Sequence, residues 1–312
     1  MKNTEIKFKI LSGILLFLVA LFFLSFISPE TDRSKNTVET ALLNKKYHVS
    51  KISISSKNDG QVFLHNYDDF WGGEFYNGSE FIYFPVDSDK IKEFLSKSQS
   101  IIILDKIIDA KTKEQFEYYS LDENSVTVTY YDDHDNAVST IHFGAMNQTL
   151  DKIFLWTERN MTIYAMDSRI SYYLESSMKF WTDQNIIPQG ISKNLNPADI
   201  QNMTYSYSDK KLKASENAVL KFPSLRFSEI ISNFNYQDKT LSLEIIDGNG
   251  TVYDYDFYPA ETQNGDCYVF NLKIIPSIIY TDKQKQFIKK MNYYSSISQW
   301  TYKSITELLP EK

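Results

Sequence analysis

The sequence predicts an α+β fold: an N-terminal transmembrane helix, then two related strand-rich repeats, each with one or two helices packed on antiparallel sheet. Three observations carry this. Short runs rich in Val, Ile, Thr and Tyr alternate at period two, as half-buried strands do. Between them stand segments of helical spacing opened by capping residues. The order of elements from Ser125 to Pro188 then returns from Leu241 to Pro310.

Composition narrows the function classes. The 312 residues hold 22 Tyr and 21 Phe against 10 Gly and 8 Pro, enough chain for two ordinary domains. A formal net charge of −7 disfavours nucleic acid as a partner, because non-specific binding needs a basic face. The one cysteine, Cys267, has no internal disulfide partner and reads as a small buried hydrophobe in an apolar strand.

Lys2, Lys7 and Lys9 precede the uncharged run Ile10 to Ile27. As a helix this run rises about 27 Å, close to the hydrocarbon thickness of roughly 30 Å. A signal peptide cut after Ser28 would put Phe26 at −3 and Pro29 just past the cut, both poor, so an uncleaved anchor is the favoured reading. The lysines put the short tail in the cytoplasm, with a single-pass anchor in the cell membrane and the body outside. The expected divisions are a tail (1–9), the anchor (10–28), a linker (29–46), a first repeat (47–189) and a shorter second repeat (190–312).

In the first repeat Val49 to Ile54 alternates as a strand, Asn58-Asp59-Gly60 turns, and Gln61 to Leu64 returns. Tyr67 to Tyr76 places Phe70, Trp71, Phe75 and Tyr76 around Gly72-Gly73. These four are the candidate contact surface, a platform for a glycan or partner protein. The competing and favoured reading is a bulged strand whose rings fill the core. Asp87-Ser88 opens a helix whose Ile91, Phe94 and Leu95 share a face. Ile101 to Ile108 reads as a buried strand, and Tyr118 to Asp122 leads into a hairpin.

The hairpin tip, Asp132-Asp133-His134-Asp135, crowds metal-ligand types together. Four consecutive side chains splay, however, and the matching tip Asp247-Gly248-Asn249-Gly250 keeps turn chemistry without the ligands. A turn is therefore expected. In the second repeat Ile200, Met203 and Tyr205 match Val49, Ile52 and Ile54, and Phe222-Pro223 matches Phe84-Pro85. A helix carrying Phe227, Ile230, Ile231 and Phe234 is expected to follow. Met161 to Tyr164 is matched to Pro276 to Ile279, with Asp167 and Asp282 as N-caps.

His48, His65, His134 and His142 have no triad or metal-pair spacing, and no phosphate loop or nucleophile elbow occurs. No catalytic, cofactor or metal residue is assigned.

This order of elements resembles a bacterial family of membrane-anchored proteins of unknown function. The resemblance rests on Ile52-Ser-Ile54, Phe70-Trp71, Pro85 to Leu95, Tyr118 to Asp122, Val126 to Gly144, Ile163-Tyr164 and Asp183 to Ile187. Ser120 stands where that family usually has Gly, and Lys152 to Trp156 replaces its Gly-Tyr-Val-Arg-like strand. Members are encoded beside gliding-motility-type (Gld) ABC transporters. The resemblance implies a non-catalytic extracytoplasmic accessory subunit, with the membrane and an ABC permease as partners and no cofactor. An envelope polysaccharide-binding or scaffold protein is the alternative reading, and a carboxylate-dependent hydrolase the minority one.

Overall fold

In a computed structural model the described residues are 36–309, without 159, 194, 208–209, 232–234, 263–264 and 292. The run Ile10–Ile27 lies outside them, and no helix among the described residues is long and apolar enough to cross a membrane. The body is α+β, two mostly antiparallel sheets with a few helices.

The first sheet contains β1 (Thr37–Thr40), β2 (Lys51–Ser56), β3 (Gly60–Asn66), β4 (Trp71–Tyr76) and β5 (Phe81–Pro85). It continues with β6 (Ile102–Asp109), β7 (Val126–Tyr131), β8 (Ala137–Met146), β9 (Lys152–Thr157) and β10 (Thr162–Asp167). Its order is β1-β6-β10-β9-β8-β7-β2-β3-β4-β5. The second contains β11 (Ile200–Tyr207), β12 (Lys210–Lys213), β13 (Glu229–Ile231), β14 (Asn235–Tyr236), β15 (Leu241–Asp247), β16 (Val252–Thr262), β17 (Gly265–Ile275) and β18 (Tyr294–Ile297). Its order is β12-β11-β15-β16-β17-β18-β13, with β14 beside β16.

A common path runs through both sheets. It is β3-β2-β7-β8-β9-β10-β6 in one and β12-β11-β15-β16-β17-β18-β13 in the other. Leaving aside β1, β4, β5 and β14 and numbering by appearance within each half, both read 2-1-4-5-6-7-3. A helix lies between positions 2 and 3 each time: α1 (Ser88–Gln99) in the first half and α4 (Glu216–Lys221) in the second. The remaining helices are α2 (Lys113–Tyr118), α3 (Met178–Trp181), α5 (Asp282–Lys290) and α6 (Gln299–Leu308).

The two hairpin tips are wired alike. Asp132 accepts from the N–H groups of His134 and Asn136, both at 2.9 Å, and Asp247 accepts from Asn249 at 2.8 Å and Thr251 at 2.9 Å. Around the first tip Asp133 contacts His48, and Asp135 pairs with Lys51. Among the described residues no group of three His, Cys, Asp or Glu is placed to hold a metal ion.

Amphipathic elements form the core. Along β15, Leu241, Leu243 and Ile245 are buried while Ser242 and Glu244 alternate with them. α1 is capped by Asp87, whose carboxylate accepts from Asp89 N and Lys90 N, and it buries Ile91, Phe94 and Ser98. Ser98 and Tyr130 share a 2.8 Å hydrogen bond beneath it. On the opposite face of the first sheet, Phe116 of α2 and Leu121 just beyond it pack with Ile163. Gly144 is required there, because a Cβ would collide with the Tyr119 carbonyl and press Leu121 at 3.0 Å.

Several expectations are corrected. Residues read as a linker supply β1 and bury Leu42 and Leu43. β6 is a strand as expected, but Ile101, Ile103 and Ile107 are exposed because only the short β1 lies outside it. The helix expected after Phe222-Pro223 lies before it, where Ser215 caps α4, and Ile230 and Ile231 belong to β13. β-branched residues spaced to suit a helix face suit a short strand equally. Pro276 to Ile279 is not a strand: β18 takes the place of β10, and Thr281 rather than Asp282 caps α5. Trp181, near the end of the Ser125–Pro188 block, is fully buried, whereas Trp300, near the end of the Leu241–Pro310 block, is 74% exposed. Cys267 is only half-buried. Phe234 and Pro310 lie outside the described residues.

Candidate functional site

The four aromatics around the diglycine divide between core and surface. Phe70 and Trp71 are buried, Phe75 is half-buried, and Tyr76 is exposed beside Phe81 with ring centroids 5.1 Å apart. Phe70 and Trp71 are therefore withdrawn as exposed contact residues. β4 lies inside the sheet, and its Trp71 and Phe75 pack into the core of the first sheet. Part of this stretch does meet another surface, that of the chain's own second half. Phe70 and Ile82 belong to the same buried cluster as Tyr255, Phe270 and Phe287.

α5 supplies the other side of the seam. The Phe287 ring lies over Gly72, where a Cβ would stand 2.6 Å from Cε2, and its centroid is 4.6 Å from that of Tyr67. Gly73 makes equivalent room for Phe84 on the neighbouring strand. Gln284 is buried and donates to the Tyr67 carbonyl at 2.8 Å, while its amide oxygen accepts from Thr281 N at 2.9 Å. One side chain thus closes the α5 N-terminus and ties it to the first half.

The connecting segment completes the seam. Ile186 N–H donates to the Leu225 carbonyl, and Phe227 N–H to the Gln184 carbonyl, each at 2.9 Å. Tyr255 and Tyr280 reach across with their hydroxyls to the carbonyls of Ile186 and Ile191 at 3.0 and 2.9 Å.

At the rim of this seam lies a cleft of about 540 Å³, lined by polar side chains of both halves. Its floor is Asp183, which is 4% exposed. The Asp183 carboxylate accepts from Asn185 N at 3.0 Å, Asn185 Nδ2 at 2.6 Å and Gln189 N at 2.7 Å. Burial pushes its pKa up despite these donors, and the nearby Asp87 adds to the shift. Asp69 pairs with Lys193 at 2.9 Å, and that hydrogen bond holds its carboxyl below the usual range. Lys90 behind the wall is pulled down by burial, opposed by Asp87, and its ammonium reaches the Phe180 carbonyl. Ser88 Oγ is buried with no hydrogen-bond partner, and Gly190 leaves it room: a Cβ there would stand 2.8 Å away. Arg226 enters from the second half beside Asn185, to which its backbone is bridged.

Sequence reading named none of these as a site. Asp183 to Ile187 is only one of the stretches behind the family resemblance, and Asp87 only a helix cap. Convergence of residues near positions 69, 87, 183 and 226 depends on the seam, which no local spacing reveals. His142, one of the four histidines without triad or metal-pair spacing, stacks on Trp156 with ring centroids 4.6 Å apart and contacts Thr127 Oγ1 at 3.0 Å. Burial pulls its pKa down, opposed by Glu158, whose carboxylate stands 3.7 Å from Nε2.

Comparison of the chain with family models, with curated proteins and with solved structures finds no match.

Proposed function

We propose that this protein is a non-catalytic accessory subunit of an ABC transport system, anchored through Ile10–Ile27 with its body outside the cytoplasm. In this reading the halves are related copies that close on each other and present the cleft above Asp183 to a partner or cargo. The observation that supports it best is the state of the cleft's carboxylates. Asp69 is spent on Lys193, Asp87 on capping α1, Asp89 on Lys92, and Asp183 on three donors. Groups engaged in this way shape a polar surface for recognition. The experiment is affinity purification from detergent-solubilised native membranes at native expression. An ABC permease should co-purify; repeated recovery of the chain alone sinks the proposal.

The hydrolase reading has one observation in its favour. A carboxyl with raised pKa in an open cleft beside a second carboxyl is the environment of a general acid. It requires turnover of glycoside substrates that both Asp87→Ala and Asp183→Asn abolish.

A further inference from the structure

We propose that the outer edge of the first sheet among the described residues, β1 with its neighbour β6, rests against the lipid headgroup layer of the membrane. The inference builds on the reading of Ile10–Ile27 as an anchor. β1 is the outermost strand, and Lys106 N–H donates to the Asn36 carbonyl at 2.6 Å, which fixes where the chain joins the fold. Between the apolar run and β1 stand residues 28–36 alone. Fully extended they reach roughly 30 Å, so this edge is held within that distance of the bilayer.

The edge is also unusually apolar. Ile101 is 76% exposed, Ile103 60%, Val38 43% and Ile107 40%. Val38 and Ile103 lie in the paired stretch of β1 and β6, Ile101 just precedes β6, and Ile107 sits where the β6–β10 ladder shifts register. Soluble sheets guard free edges with charge, and the chain does so elsewhere: β12 reads Lys-Lys-Leu-Lys with all four residues exposed. At β1 and β6 exposed aliphatics stand among the charges of Glu39, Lys106 and Asp109.

Side chains suited to the headgroup level flank the aliphatics. Leu43 N–H donates to the Ser98 carbonyl, and from that bond the chain runs on to the exposed Lys45, Lys46 and Tyr47 on one side and to Ile101 on the other. Lys106 adjoins Ile107. Lysine stems and tyrosine rings favour this depth of a membrane. Asp105 and Asp109 are paired with Lys152 and Lys106, leaving Glu39 as the remaining carboxylate on the two strands. Four partly exposed aliphatics fit shallow lipid contact, whereas a stable protein interface takes about 800 Å² per partner.

The test uses the full chain in phosphatidylcholine–phosphatidylglycerol vesicles, in a Cys267→Ser background with one fluorophore-labelled cysteine from Ile103→Cys or Tyr76→Cys. Tyr76 on β4 lies seven strand spacings from β6, roughly 34 Å along the sheet. Headgroup spin-labelled lipid should quench the label at position 103 several-fold more than that at 76. Equal quenching in a chain that resists carbonate extraction overturns the inference alone. A chain stripped by carbonate overturns the anchor reading and this inference with it. Quenching at position 103 that is lost when a permease is co-reconstituted assigns the edge to a protein and overturns the lipid contact.

Discussion

Phe287 sits on Gly72. The ring of one half occupies the space that a side chain on the other half's central diglycine would fill, with Tyr67, Phe70 and Tyr83 around it. Gly72→Ala is an overpacking change and is expected to destabilise by about 1–3 kcal/mol. Phe287→Ala leaves a cavity and should lose about 3–5 kcal/mol. Because each substitution relieves the other, the double variant should fall short of their sum in urea titrations.

A second prediction concerns Ser120, which has φ +54 between α2 and Leu121. The left-handed region is strained for a residue with a Cβ and free for glycine. Ser120→Gly is expected to stabilise by up to about 1 kcal/mol, since glycine's greater unfolded-state freedom offsets part of the relief. An unchanged denaturant slope with a higher midpoint is the result to look for.

Third, the hairpin tips should behave as turns. Asp247 is buried, and Asp247→Ala strands the N–H groups of Asn249 and Thr251, at a loss of about 1.5–3 kcal/mol. Neither calcium nor a chelator should move the melting temperature. A rise with calcium that Asp133→Ala abolishes would instead make the first tip a cation site.

The pH dependence of Asp183 has a definite sign. Its folded pKa lies above the unfolded value near 3.8, so the folded state holds the proton more tightly. The stability this contributes is present in full below that value and is lost as pH rises through the folded pKa. Measured against Asp183→Asn across the acid range, the wild-type advantage should shrink as pH increases. An advantage that grows with pH would mean that the donors from Asn185 and Gln189 outweigh burial.

Local chemistry was legible and long-range packing was not. The hairpins at Asp132 and Asp247 and the capped helix carrying Ile91 and Phe94 follow from turn residues and periodicity. The path shared by the two sheets was partly visible as a recurring order, although β13 fits a helix as well as a strand, being a short β-branched run, and the counterpart of β10 is expected from sequence at Pro276 to Ile279 and not at β18. Phe70 and Trp71 fill the core, in line with the favoured reading, but nothing near Phe70 in sequence announces Phe287 as its neighbour. The cleft escaped notice for the same reason: Asp87, Asp183 and Arg226 become neighbours only after the halves close.

That closure is the centre of the account, and scanning calorimetry of the full chain in detergent tests it most directly. A shared buried cluster predicts one transition, with calorimetric and van't Hoff enthalpies equal, which Phe287→Ala splits in two. Two resolved transitions in the unaltered chain, one for each half, would contradict it.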